Sequence, residues 1–237
     1  MFVDMHHHVI YGVDDGPSTF EKAQAMLRKA LENDVSVIAC TSHATPGIEP
    51  FPMDTYLQRL TEEQQWCDAQ GLGIRLCPGS EIYYTRSAAR LLQEGKLLPI
   101  NRGDAVLVEF SPAEKYDPIR EAVRRLGNAG YTVVVAHAER YDGLHDIDHI
   151  RDLREELGAY IQINAGTILS PGGFLRKRWV RRLMESDGCD LVGTDAHNTE
   201  SRPCRMKACY QYIAETWGKQ TADRLCIETP ASLMGLD

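Results

Sequence analysis

The strongest constraint on fold in this chain is a rhythm. Short runs of apolar, often β-branched residues alternate with longer amphipathic stretches, and almost every run ends in His, Asp or Glu. The runs are Phe2–Val9, Val35–Thr41, Ile74–Ile82, Ala105–Phe110, Thr132–Ala138, Tyr160–Asn164 and Cys189–Gly193. Some, such as Val35-Ser36-Val37-Ile38-Ala39-Cys40, are nearly continuous in apolar residues, the pattern of a strand covered on both faces in a parallel sheet. Between them the spacing predicts helices over 20–33, 54–70, 85–93, 117–128, 146–157, 174–186 and 205–217. Ser18-Thr19-Phe20-Glu21 opens the first as a capping box. This alternation predicts an α/β fold whose parallel strands close, or nearly close, into a barrel, with a doubly wound open sheet as the alternative. The length of 237 residues fits a single domain over 1–237.

Composition narrows the functional classes. The formal net charge of −8 is the reverse of what a large phosphate-gripping nucleic-acid footprint requires, so no nucleic acid is expected as a partner. No basic-then-apolar leader and no apolar run of membrane-spanning length is visible, so neither export nor membrane insertion is expected. The seven Cys are scattered without a C-x-x-C pair, which reads as reduced thiols and a cytoplasmic location.

The chemistry lies in what ends each strand. The first ends in Asp4-Met5-His6-His7-His8, the second in Thr41-Ser42-His43 and the third in Gly79-Ser80-Glu81. The fourth carries Val108-Glu109-Phe110, the fifth His137-Ala138-Glu139-Arg140, the sixth Gln162-Ile163-Asn164 and the seventh Thr194-Asp195-Ala196-His197. A parallel barrel brings all its C-terminal strand ends to one face. Positions i and i+2 of a strand share a side, so His6 and His8 can chelate one ion. Taken singly, each of these residues has a plain structural alternative. A lone strand-end His is commonly a hydrogen-bonded packing residue, and Glu81 or Glu109 could pair with Arg. Five of the eight His at strand ends, joined by Glu81, Glu109 and Asp195, make the set far more informative than its members.

Mixed imidazole and carboxylate donors suit Zn²⁺, Mn²⁺ or Fe²⁺, and their number exceeds what one ion can use. Paired cations are a common device for in-line displacement at phosphorus. Asp15, Glu81, Glu109 and Asp195 contribute about −4 and three divalent ions about +6, so a loaded site would be cationic inside an acidic protein. Arg140 stands where it could grip a phosphate in bidentate fashion; a salt bridge to Glu139 or Asp142 is its alternative.

At these residues the chain resembles the polymerase-and-histidinol-phosphatase (PHP) superfamily, and within it the manganese-dependent protein-tyrosine phosphatases of bacterial capsule and exopolysaccharide synthesis. The segments carrying the likeness include Asp4-Met5-His6-His7-His8, Val13-Asp14-Asp15-Gly16-Pro17, Glu81-Ile82-Tyr83-Tyr84-Thr85, His137-Ala138-Glu139-Arg140-Tyr141 and Thr194-Asp195-Ala196-His197-Asn198. The resemblance implies a distorted (β/α)₇ barrel and two or three divalent ions, Mn²⁺ foremost. It assigns one ion to His6, His8, Glu81 and Asp195, with Glu81 bridging to a second held with Glu109 and His137. Asp15, His43 and His197 would hold a third. It implies that Arg140, and Arg202 as a second candidate, bind the phosphate. It further implies attack by a metal-bridging hydroxide with no phosphoenzyme, a substrate phosphotyrosine on the tail of a bacterial tyrosine autokinase, and in some members a homo-oligomer.

Rival chemistries fit less well. No Cys is followed by Arg at the C-x₅-R spacing of cysteine phosphatases. Asp146-Ile147-Asp148 has the D-x-D pattern of aspartyl-phosphate enzymes but falls in a helical stretch, as a solvated face. Amidohydrolases share H-x-H on the first strand, yet Glu109 stands where many of them place a carbamylated Lys. A histidinol-phosphate or other small-molecule phosphatase is the alternative within the superfamily, and a non-catalytic, metal-stabilised module docking on a kinase tail the alternative outside catalysis. The basic stretch Arg176–Arg182 reads as a solvated helix face with Trp179 and Val180 inward, or as a contact for an acidic tail or a neighbouring subunit. Tyr11, Tyr83 and Tyr84 are candidates either for stacking on a phenyl ring or for core packing.

Overall fold

In the computed structural model, which describes residues 1–236, every apolar run becomes a strand and neighbouring strands run parallel. They are β1 (Phe2–His7), β2 (Val35–Ala44), β3 (Arg75–Tyr83), β4 (Ala105–Glu109), β5 (Thr132–Val135), β6 (Tyr160–Asn164) and β7 (Leu191–Gly193), paired strictly in chain order. A doubly wound sheet would reverse order partway; this one does not. Its two outer edges meet instead. His7 and Ala196 form a parallel bridge, His8 N–H donates to Ala196 O at 2.9 Å and Asp195 N–H to His6 O at 2.8 Å. The sheet is thus a seven-stranded barrel, seamed at its narrowest joint by the residues that end β1 and follow β7.

The helices are α1 (Phe20–Glu32), α2 (Met53–Ala69), α3 (Ala88–Gln93), α4 (Tyr116–Asn128), α5 (Ile147–Glu155), α6 (Ala165–Leu169), α7 (Phe174–Glu185), α8 (Met206–Trp217), α9 (Lys219–Asp223) and α10 (Thr229–Leu233). Most of the longer ones turn one apolar stripe onto the barrel. In α4 the buried residues are Ile119, Ala122, Val123 and Leu126, spaced i, i+3, i+4, i+7. Burying each large aliphatic side chain of such a stripe contributes roughly 1.5–3 kcal/mol. The cap of α1 sits one residue later than the capping-box reading: Thr19, not Ser18, accepts the Lys22 N–H, at 3.4 Å. Helices α6, α9 and α10 were not foreseen, because five residues are too few to display a helical period.

Two cores result. The outer one lies between strands and helices. The inner one fills the barrel with Val3, Met5, Ala39, Cys77, Ala105, Leu107, Val134, Ala136 and Leu191, alternate residues of successive strands. Ile100 and Met234 join it near the strand starts, and Asn101 Nδ2 donates to Met234 O at 2.8 Å, so the C-terminal segment closes the lower mouth. The inward parity continues upward to Glu81 on β3, Glu109 on β4 and Asp195 after β7. On β1 it changes. Val3 and Met5 face inward, the β1–β2 register shifts between Asp4 and His7, and the inward positions become His6 and His8.

Candidate metal and phosphate site

Glu81 is the hub. Its Oε2 lies 3.2 Å from His6 Nε2, 3.1 Å from His8 Nε2 and 3.2 Å from His43 Nδ1, yet none of these approaches has hydrogen-bond geometry and the oxygen is buried without a partner. Its Oε1 receives His137 Nε2 at 2.7 Å. Around this centre the side chains fall into overlapping sets whose donor atoms all lie within 4.8 Å of one another: His6, His8, Glu81 and Asp195; His43, Glu81 and Glu109; and His8, Asp15, His43 and His197. His137 Nε2 also stands 3.7 Å from Glu109 Oε2. The eight residues singled out from the strand ends, and Asp15, which the resemblance added, are therefore brought together.

The donor chemistry fits divalent cations. A buried carboxylate oxygen surrounded by imidazole nitrogens, none of them properly bonded to it, is costly unless a cation sits among them. His197 Nε2 is likewise buried and without a hydrogen bond, 3.1 Å from Asp15 Oδ1. The proton balance says the same. Burial pushes Glu81 upward, but the charge of the facing His6 and the hydrogen bond from His137 outweigh it and hold the carboxylate well below its usual range. Burial lowers His8, yet its hydrogen bond to Asp14 and the close Glu81 carboxylate raise it to about 9. For His43 the same opposition, with Asp15 and Glu109 as partners, ends at about 11. Without cations the acids are neutralised by protons on the imidazoles; ions would take the protons' place.

A second layer orients these candidate ligands, and the strand-end pattern gave little sign of it. His8 Nδ1 is 2.9 Å from Asp14 Oδ2, and Asp14 also accepts from His43 N–H and Gly16 N–H, each at 3.0 Å. His6 Nδ1 meets Gln162 Oε1 at 3.0 Å, His137 Nδ1 meets Tyr141 Oη at 2.9 Å, and Asn164 Nδ2 donates to Asp195 Oδ2 at 2.7 Å. Gln162 and Asn164 were visible as polar residues two apart in an otherwise apolar strand. Tyr141 and Asp14 were legible only as parts of motifs. Two of the clustered residues occupy the left-handed backbone region without being glycine, His137 at φ 30° and Asp195 at φ 53°, conformations that cost energy and cluster at functional sites. Gly193 permits the closure: a Cβ there would stand 2.7 Å from His6 Cβ.

Arg140 makes neither of the salt bridges weighed for it. Its Nη2 reaches Asp195 Oδ2 at 2.5 Å. Arg202 takes the other oxygen of the same carboxylate, Nη2 to Asp195 Oδ1 at 2.8 Å, with Nη1 3.7 Å from Asp15 Oδ2. Both line an open cleft of about 520 Å³ with Asn164, Thr167, Asp195 and Ser201. Tyr11 is committed elsewhere: its hydroxyl donates to Glu62 at 2.6 Å and the Arg59 guanidinium covers its ring at 4.4 Å. Tyr84 packs on Phe110. Asp146 caps α5, as befits a solvated helix start.

A barrel of this type, with a buried imidazole–carboxylate cluster at the strand ends, defines the class: an α/β barrel of the PHP kind, of which histidinol phosphate phosphatase from Lactococcus lactis shares the fold at TM-score 0.61 and 17% identity over 93% of both chains. Residues 2–235 match the family described as "Capsular polysaccharide synthesis, CpsB/CapC", and the chain belongs to that family. Among its relatives is the tyrosine-protein phosphatase CpsB of Streptococcus pneumoniae, 30% identical over 98% of both chains. The tyrosine-protein phosphatase YwqE of Bacillus subtilis is 25% identical over 92% of this chain and 86% of its own. A solved structure described with YwqE and CpsB as unique metal-dependent tyrosine phosphatases superposes at TM-score 0.90, with 22% identity, covering 99% of this chain and 95% of the other.

Proposed function

We propose that this protein is a metal-dependent protein-tyrosine phosphatase, hydrolysing phosphotyrosine in a bacterial protein, with the tail of a capsule-synthesis tyrosine kinase as its substrate and the cytoplasm as its location. The observation that carries the reading is the convergence of His6, His8 and His43 on the unpartnered Glu81 Oε2, beside a cleft that presents Arg140 and Arg202. Membership in a family whose curated relatives carry that activity supports it.

The residues that would hold the ions are His6, His8, Glu81 and Asp195; Glu81, Glu109 and His137; and Asp15, His43 and His197, with Mn²⁺ the cation expected. Bound there, divalent cations supply Lewis acidity toward phosphate oxygens and a nucleophilic water derivative at neutral pH. The chain's own groups do the rest. Glu81 and Asp195 bring negative charge to the cluster's centre. Asp14, Gln162 and Tyr141 hold His8, His6 and His137 in ring orientations that keep their Nε2 atoms on it. Arg140 and Arg202 offer paired N–H donors to the equatorial oxygens of a phosphate, where charge persists through transfer. The leaving phenol ionises near 10, so the departing oxygen needs charge stabilisation more than a strong general acid.

The decisive experiment adds Mn²⁺, Zn²⁺, Fe²⁺ and Mg²⁺ in turn to demetallated protein and compares phosphotyrosine peptide, histidinol phosphate and phosphoserine peptide. Preferential turnover of the phosphotyrosine peptide, dependent on added metal, is expected. Preference for histidinol phosphate would replace the reading with a small-molecule phosphatase, and metal binding without turnover of any phosphomonoester with a binding module.

A further inference from the structure

Helix α7 carries Arg176, Lys177, Arg178, Arg181 and Arg182 within seven positions, and no acid lies between Phe174 and Met184 in a chain whose net charge is −8. Only Arg181 is paired, with Glu185; the other four make no ion pair among the described residues. The helix begins with Phe174 and Leu175, each 78% exposed. Its inner face is fixed in place: Trp179 is buried and donates from Nε1 to Leu144 O at 3.1 Å. The sequence thus keeps two large apolar side chains and four free cations in water on a firmly seated element. Exposed apolar side chains rimmed by unpaired charge mark an interaction surface rather than a solvated face.

Phe174, Leu175, Arg176, Arg178 and Arg182 form one wall of an open cleft of about 860 Å³; His145 and Glu139, from the segment after β5, form the other. That volume lies in the range of real ligand sites. Its position gives it meaning. Glu139 immediately precedes Arg140, whose guanidinium reaches Asp195 in the phosphate cleft. The two clefts meet at a hydrogen bond, Asn164 N–H to Glu139 Oε1 at 3.2 Å, Asn164 lining the one and Glu139 the other.

We propose that the α7 cleft docks the acidic segment flanking the phosphorylated tyrosine, its carboxylates meeting Arg176, Arg178 and Arg182 and one large apolar side chain resting on Phe174 and Leu175. This deepens the phosphatase reading and rests on it for the phosphotyrosine, though not for the acidic segment. Charge complementarity selects the occupant: a surface this cationic on an acidic protein attracts an acidic peptide and steers its approach. The small glutamate surface of the cleft is no obstacle, since Glu139 is 2% exposed and turns its Oε1 to the Asn164 N–H at 3.2 Å.

The test uses the full chain and the variant Arg176→Glu/Arg178→Glu/Arg182→Glu, with Arg→Gln at the same positions as a milder form. Fluorescence anisotropy with an acidic peptide carrying Phe in place of phosphotyrosine reads docking without turnover. Affinity is expected to fall about tenfold or more in the Glu variant, less in the Gln variant, and with added salt. In turnover assays KM for an acidic phosphotyrosine peptide should rise with kcat kept, while p-nitrophenyl phosphate and a neutral phosphotyrosine peptide are unchanged. Equal losses on acidic and neutral peptides, unchanged anisotropy, or a shift in oligomeric state on gel filtration in place of a peptide effect would overturn the proposal, the last assigning the surface to a second copy of the chain. Absent turnover with intact anisotropy binding would instead overturn the phosphatase reading and leave docking standing.

Discussion

Asp14 accepts the Nδ1 proton of His8 across 2.9 Å, and this one bond decides which nitrogen of His8 faces the cluster. Held to Asp14 through Nδ1, the ring turns Nε2 to the cluster, 3.1 Å from Glu81 Oε2, where a cation would take the place of its proton. Asp14 also ties the β1 end to β2 through the His43 N–H. Asp14→Ala is therefore expected to weaken metal binding about 10–100-fold, with Asp14→Asn intermediate because an amide oxygen still accepts the bond without the charge. Titration of demetallated protein with Mn²⁺, followed by calorimetry, measures it; unchanged affinity would remove Asp14 from the site.

Arg140→Ala should separate phosphate recognition from metal binding. Its guanidinium contacts Asp195 through one carboxylate oxygen and adds no donor atom to the cluster. Loss of one charge-stabilising donor costs about 10²–10³ in kcat. We expect that fall on p-nitrophenyl phosphate with metal content, read by mass spectrometry, unchanged. A parallel loss of bound metal would make Arg140 a structural partner of Asp195.

Metal loading should release protons. His8 and His43 are raised to about 9 and about 11 in the metal-free cluster, so both carry protons at neutral pH that a cation must displace. The sign follows: apparent affinity rises as pH climbs from about 6 toward 9, because proton competition weakens. Addition of Mn²⁺ to weakly buffered protein with a pH indicator should acidify the solution near neutrality. No proton release at pH 7 would mean that the cluster binds cations through groups already deprotonated.

Glu63 gives a prediction remote from the cluster. It is fully buried, accepts the Tyr11 N–H at 3.1 Å through Oε1 and leaves Oε2 without a partner. Burial raises it from 4.5 to about 8, so in the fold it stays neutral where the unfolded chain would ionise. A raised acid contributes its full stability below about 4.5 and loses it as pH rises toward 8. Relative to wild type, Glu63→Gln should gain roughly 1–4 kcal/mol between pH 5 and 8.5. Urea unfolding at both pH values checks the difference; a flat difference would mean that Glu63 is ionised in the fold.

Much was legible before the fold was known, for a physical reason. Strand burial on both faces demands long apolar runs, so any polar residue ending such a run stands out, and His6, His8, His43, Glu81, Glu109, His137, Asp195 and His197 were each conspicuous on that ground. Asp15 lies in a loop and stood out only through the resemblance. The orienting residues were less visible. Asp14, Tyr141, Gln162 and Asn164 are ordinary polar residues until the barrel carries them to Nδ1 or Oδ2 of a clustered His or Asp.

The sequence by itself determined the alternation of continuous apolar runs with helical stretches, and with it seven strands and the inventory of donors, because these depend on local burial and local geometry. Tertiary structure alone decided the rest. Whether the sheet closed rested on contacts between His7 and Ala196, far apart in the chain. Which residues of Asp4–His8 face inward rested on a register shift against β2 that no one-strand pattern encodes. That Arg140 and Arg202 meet on one carboxylate, and that α7's cations share a cleft with Glu139 and His145, are facts of three-dimensional adjacency. Long-range pairing sets such distances, and a linear pattern of polarity carries no information about them.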